Sequence, residues 1–120
     1  MMDRKNELRQ RTKKFAGEVV RFFCSLPRQR DEVRILGRQM LRSGTSVAAN
    51  YREASRARTP ADFIFKIETC AQEADETLLW FELLHDDCGI KSDALDPLHA
   101  EANELIAIFV TMSKNTKRGL

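Results

Sequence analysis

Two pairs of residues in this 120-residue chain have the spacing of metal ligands. Glu82-x-x-His85 and Asp96-x-x-His99 each set a carboxylate and an imidazole one helical turn apart. Di-iron helical bundles hold their metal with pairs of this kind. If the two segments are consecutive antiparallel helices, the end of one faces the start of the next and the pairs come close. Asp31 and Glu32 would then share that end of the molecule. A di-iron site also needs glutamates from two further helices at mid-bundle depth. Both pairs here fall at helix ends, where a histidine near a C-terminus and an aspartate near an N-terminus already answer the helix dipole. No metal and no cofactor is therefore expected. The sequence has no Ser-His-Asp order, nucleophile elbow or phosphate loop. No catalytic residue is assigned, and the chain is read as non-enzymatic.

A second constellation is cationic. Arg34, Arg38, Arg42, Arg52 and Arg56 fall within a wedge of roughly 80° when successive residues turn by about 100°. Glu68, Asp75, Glu82 and Asp86 form a comparable acidic row further on. Three readings stand side by side. The rows are solvated faces sorted by sign. Or the arginine row of one subunit meets the acidic row of the next. Or the arginines follow a nucleic-acid backbone, since the guanidinium fork suits phosphate oxygens. The basic N-terminal segment extends such a track. No aromatic residues interleave with the arginines to stack bases, and Tyr51 is the one candidate nearby.

The formal net charge of +2 conceals an asymmetry. Residues 1–60 hold fifteen basic and six acidic residues, whereas residues 61–90 hold one and eight. A basic half followed by an acidic segment serves either an anionic partner or subunit docking.

The elements that position these groups are helices. Glycine and proline are scarce, and Arg, Lys, Glu, Leu and Ala are abundant. The apolar periodicity predicts helices over about 3–25, 31–58, 60–87 and 93–116 within a single domain, 1–120. The first has a stripe Leu8, Thr12, Phe15, Val19, Phe22, Leu26 and stops at Pro27. The second has an inward stripe Val33, Leu36, Met40, Ser43, Val47, Asn50 and Ala54, small where it passes Gly44. Asn50, placed inward, would be a register-fixing amide with a hydrogen-bond partner. Thr59-Pro60 starts the third helix as cap and first residue. That helix is apolar on two faces. Phe65, Leu79, Trp80 and Leu83 lie away from its main stripe and are candidates for an oligomer interface. Gly89 takes the C′ position that ends it. The expected fold is all-α: an antiparallel up-down-up-down four-helix bundle.

Cys24, Cys70 and Cys88 are an odd count without a CxxC pair. They are expected to be reduced, half-buried thiols of a cytoplasmic protein. The N-terminal MMDRKNELRQ lacks the apolar core of a secretory signal, and no apolar run is long enough to cross a bilayer, so no membrane association is expected.

RTKKFA at 11–16, SLP at 25–27, RSGTSVAANYREASRAR at 42–58, ADFIFKIETCAQEADETLLWFELL at 61–84 and ANELIAIFV at 102–110 resemble the bacterial four helix bundle protein family. That family includes proteins encoded in intervening sequences of bacterial large-subunit rRNA genes. A relative is the accessory protein of diversity-generating retroelements. The resemblance implies a homo-oligomer, a pentamer of four-helix protomers. It also implies RNA, DNA or a nucleic-acid-handling protein such as a reverse transcriptase as partner. The family's Ser-x-x-x-Asn-x-x-Glu pattern falls on Ser46, Asn50 and Glu53. Ala48 stands where the family often has proline and Ala54 where glycine follows, which implies an uninterrupted second helix.

Overall fold

In a computed structural model, which describes residues 3–120, four helices account for nearly all of the chain. They are α1 (Arg4–Ser25), α2 (Asp31–Ser55), α3 (Pro60–Asp86) and α4 (Leu95–Arg118), with no strand among the described residues. Met1 and Met2, part of the expected single domain and N-terminal stretch, lie outside the described residues.

The helix ends follow from local chemistry. The Asp3 carboxylate accepts from the Asn6 amide at 2.9 Å and caps α1. Leu26 turns extended ahead of Pro27 and ends it. The Thr59 hydroxyl accepts from the Asp62 amide at 3.0 Å, with Pro60 as first residue of α3. This cap also corrects the expected end of α2. Thr59 must be extended to cap (φ −134°, ψ 154°), so the chain needs residues 56–58 to reverse direction. α2 therefore stops at Ser55 and not at Arg58. Gly89 has φ +70°, the left-handed conformation its C′ role requires. The connection after it is packed rather than loose. Cys88, Ile90 and Leu95 are buried, the Ile90 amide donates to the Leu84 carbonyl at 2.9 Å, and α4 starts at Leu95, two residues later than expected.

α1 packs on α2, α2 on α3 and α3 on α4 along their lengths, while α1 and α4 touch little. An Arg11 fork closes that open side, donating to both Glu101 oxygens at 2.7 and 2.8 Å and to Glu104 at 2.6 Å. The result is an antiparallel bundle measuring 50 × 27 × 19 Å. Two aromatic pairs cross its interior diagonally. Tyr51 of α2 stacks on Phe109 of α4, with ring centroids 6.2 Å apart. Phe22 of α1 meets Phe81 of α3 edge-on at 6.4 Å.

α2 approaches α1 closely at a glycine. A Cβ on Gly44 would lie 2.9 Å from Val19 Cγ1. On the α3 side the Ser43 and Thr77 hydroxyls, both buried, share a hydrogen bond of 2.7 Å. Below them the inward stripe differs from the expected one. Asn50 is only half-buried and donates to the Ser46 carbonyl of its own helix at 2.9 Å. Tyr51 takes the core position at 2% exposure, and its hydroxyl reaches the Lys5 carbonyl at 3.3 Å. From Val47, steps of four and three reach Ala54 through 51 as readily as through 50. The aromatic ring gains more from burial, and its polar tip finds an acceptor. The cysteines also differ from expectation. Cys70 and Cys88 are buried, Cys24 is exposed, and all three are free thiols. Burial pushes the Cys70 thiol up to about 12.

Candidate nucleic-acid interface

All five arginines of the row are exposed, four on α2 and Arg56 at its C-cap, but they do not act alike. Arg34 pairs with Asp31 one turn away at 2.9 Å. Arg42 leans to α3, where it meets Glu76 at 3.2 Å and Glu73 at 3.7 Å. Among the described residues Arg38, Arg52 and Arg56 take no carboxylate partner. By helical rotation Arg52 lies about 80° from Arg42, on the side of α2 that borders α1. There it lines a shallow groove with Asn6, Arg9, Gln10 and Lys13 of α1. Arg9 and Lys13 are likewise without an ion-pair partner. They were not singled out by spacing on one helix, because the groove joins residues some forty positions apart. The one signal in the sequence was the basic composition of the first helix.

Tyr51, the nearest aromatic by sequence, is unavailable for stacking because it is buried against Phe109. Burial also raises its hydroxyl above the usual tyrosine range.

The acidic row faces a different neighbour from the arginine row. Glu68 accepts from Lys117 at 2.7 Å and from Ser113 at 3.1 Å, both on α4, and the lysine bond holds its carboxyl below the usual range. Glu82 meets His99 of α4 at 3.0 Å. Asp75 and Asp86 are exposed, and Asp86 meets His85 at 2.8 Å. Glu73, with Glu76, turns toward Arg42 of α2. Burial pushes its pKa up, the Arg42 charge opposes that, and its Oε2 has no hydrogen bond among the described residues.

The two metal-like pairs do come together. Glu82, His85, Asp86, Asp96 and His99 line one depression with Phe81 and Leu95 at the α3–α4 end. Yet among the described residues no group of three or more His, Cys, Asp or Glu is arranged to hold an ion. Glu82 pairs with His99 and Asp86 with His85.

Of the candidate interface residues, Phe65 and Leu79 are exposed at 64% and 47%, and Leu83 is half-buried. Trp80 is half-buried against the core, with its indole N–H enclosed and without a hydrogen-bond partner among the described residues. Ile35 of α2, 56% exposed, was not anticipated. Exposed apolar residues therefore occur on both α2 and α3.

In the pattern shared with the resembled family, Asn50 bonds back to the Ser46 carbonyl and Glu53 meets Lys66 of α3 at 3.2 Å. These residues hold the end of α2 in place. No helix among the described residues is long and apolar enough to cross a membrane.

Comparison with known proteins places this geometry. No curated protein matches the chain. Among solved structures, a Bacteroides thetaiotaomicron VPI-5482 protein of unknown function, from the S23 ribosomal protein family, superposes with a TM-score of 0.80. It is 31% identical, and the match covers 88% of this chain and 97% of that one. The family described as 23S rRNA-intervening sequence protein matches residues 4–111. Matched over nearly its whole length, the chain belongs to the 23S rRNA-intervening sequence protein family.

Proposed function

We propose that this bundle is a non-enzymatic, self-associating accessory protein that binds RNA or DNA, or the protein that handles it, through its α1–α2 face. The observation that carries the reading is a set of cations without a carboxylate partner among the described residues: Arg38 and Arg52 of α2, Arg56 at its C-cap, and Arg9 and Lys13 of α1. Arginines free of ion-pair partners within the protomer are available to release counterions from a phosphate backbone. The family's description, which refers to 23S rRNA, supports a nucleic-acid setting, and a reverse transcriptase is one protein partner of that kind. Self-association, as a pentamer by the family resemblance, draws support from the apolar face of Phe65, Leu79, Leu83 and Ile35.

The same apolar face also supports a second reading, a protein–protein scaffold in which the charged rows serve assembly. That reading asks Arg42, Glu68 and Glu82 to leave partners they already have in their own protomer. Light scattering coupled to size exclusion, with absorbance at 260 and 280 nm, tests both. The expected result is a multimer that shifts a labelled single-stranded RNA in a salt-dependent manner. A monomer would remove the assembly claim. A multimer indifferent to RNA and DNA at 50 mM salt would leave the scaffold reading in its place. Replacing Arg34, Arg38 and Arg42 by glutamine separates the roles further, since loss of mass indicates assembly and loss of RNA binding alone indicates recognition.

A further inference from the structure

Five surface depressions among the described residues differ in one respect. The depression at the α3–α4 end holds Glu82, Asp86 and Asp96, and that between α1 and α4 sets Glu18 and Glu101 beside Arg11 and Lys14. The next along the same side contains Glu18, and the one between α3 and α4 contains Glu68. The groove of Asn6, Arg9, Gln10, Lys13 and Arg52 contains no carboxylate. Its five residues are three cations and two neutral amides, and each side chain offers N–H donors.

Folding by itself does not favour this arrangement. Arg9 and Lys13 are like charges one turn apart, and Arg52 brings a third from the facing helix. Acidic residues nearby are turned elsewhere. Glu7 falls in the 7–11–14–18 row that borders α4, Asp3 caps α1, and Glu53 pairs with Lys66. The convergence also sits where the topology concentrates positive charge. Residues 3–14 and 44–60, the start of α1 and the end of α2, hold nine basic and three acidic residues.

We infer that this groove is the phosphate-binding site for a single nucleic-acid strand, an inference that rests on the nucleic-acid reading above and narrows it to one corner of the bundle. Arg9 and Lys13 stand about 6 Å apart along the helix, a spacing suited to successive phosphates of an extended strand. Arg52 closes on the backbone from the opposite wall, with its guanidinium fork taking two oxygens of one phosphate. Asn6 and Gln10 supply neutral donors to the sugar and phosphate oxygens. With Tyr51 buried, the groove offers charge without a stacking surface. Binding is thus sequence-tolerant and steeply salt-dependent.

The test uses the full chain, a fluorescein-labelled 20-nucleotide poly(U) and fluorescence anisotropy from 50 to 200 mM salt. Two triple variants are compared, Arg9→Gln/Lys13→Gln/Arg52→Gln and Arg34→Gln/Arg38→Gln/Arg42→Gln, each checked for helix content and mass. The groove variant is expected to lose at least about tenfold in affinity at 50 mM salt and to flatten the log–log salt slope by about 2, the share of three phosphate contacts on a single strand. The row variant should lose less on both counts. Equal losses, or a larger loss in the row variant, overturn the groove while the nucleic-acid reading stands. A wild-type chain that fails to bind poly(U), mixed-sequence RNA and single-stranded DNA overturns both.

Discussion

Two opposite corners of this bundle are built from the same kind of helix and carry opposite charge. The start of α1 and the end of α2 hold nine basic and three acidic residues. The end of α3 and the start of α4, residues 74–106, hold one basic and nine acidic. Part of this contrast is visible along the chain as a basic half and an acidic segment. The rest is made by folding. Antiparallel topology brings the arginines at 52, 56 and 58 beside the lysines and arginines at 4–14, and it brings the acids of 82–87 beside those of 93–104. Five of the nine acids meet a partner: Glu82 and Asp86 meet His99 and His85 within the corner, and Glu76, Glu101 and Glu104 reach Arg42 and Arg11 outside it. Of the nine basic residues in the other corner only Arg11 has an ion pair among the described residues, which leaves Arg9, Lys13, Arg52 and Arg56 free. The lesson is that charge count alone does not mark a binding surface. The decisive property is whether the charges have already been used within the protomer.

The corners should nevertheless be equal in the packing beneath them. Each has one diagonal aromatic pair, Tyr51–Phe109 under the basic corner and Phe22–Phe81 under the acidic one. Phe109 and Phe81 are 0% and 1% exposed. Phe109→Ala and Phe81→Ala are each expected to cost about 3–5 kcal/mol in denaturant unfolding. A markedly smaller loss for Phe81 would show that the acidic corner is loosely packed and that the comparison is not one of charge alone.

The next effect concerns how two basic helices lie so close. Gly44→Ala adds a methyl 2.9 Å from Val19 Cγ1, a buried and β-branched neighbour that cannot turn away. Overpacking costs about 1–3 kcal/mol, against about 1 kcal/mol of gained helix propensity. A net loss of up to about 2 kcal/mol is expected. At Gly17 the nearest atom is the mobile Arg21 Nη1 at 3.5 Å. There the same substitution should stabilise by about 0.5–1 kcal/mol. Equal melting shifts of the same sign would deny the close approach at Gly44.

The fold and the candidate site were legible to different degrees, for physical reasons. Helix number, order and caps follow from local rules: Thr59-Pro60 starts a helix and Gly89 ends one, whatever surrounds them. Choices that compete at a distance are not local. Asn50 and Tyr51 are both compatible with the stripe of α2, and the decision came from space opposite, where Phe109 waits on α4. The arginine row was legible as a row, because spacing on one helix defines it. Its division was not, because Arg42 is claimed by Glu73 and Glu76 of α3 and Arg52 is joined by Arg9 and Lys13 of α1. A site shared between two helices needs their mutual rotation, which a single sequence does not carry.

Acid separates the carboxylates that help from the one that hinders. The Arg11 hydrogen bond holds Glu101 below its ordinary 4.5. Its contribution is therefore full above about pH 4.5 and is lost as pH falls through the lower folded value. Glu101→Gln should cost roughly 0.5–1 kcal/mol at pH 7, a modest figure because the pair is partly exposed. The deficit should narrow as pH falls below about 4.5. Glu73 has the opposite sign. Burial raises its pKa, so its charge disfavours the fold at neutral pH and acid relieves it. Glu73→Gln is expected to stabilise at pH 7 by under about 1 kcal/mol, with the gain shrinking as pH drops. Urea titrations of the two variants at pH 7 and pH 4 would read both signs, and a gain for Glu101→Gln at pH 7 would sink the assignment.

The smallest effect is the most direct probe of the two corners. Glu82→Gln, Asp86→Asn and Asp96→Asn together remove three negative charges from a chain of net charge +2. If nucleic acid were drawn by net charge, this would strengthen binding as much as removing three cations weakens it. Along the bundle axis, however, these three acids lie roughly 20 Å from the groove, by the rise per residue of the helices that carry them. Screening at 0.15 M salt has a length of about 8 Å, so the acidic corner is invisible from the groove. The expected change in poly(U) affinity is under about twofold at 0.15 M salt. At 0.01 M, where the screening length grows to about 30 Å, the variant should pull ahead of the wild type. A tenfold gain already at 0.15 M would mean that strand and acidic corner meet. The binding surface would then have to be drawn around the whole bundle rather than along the Arg9–Lys13–Arg52 groove.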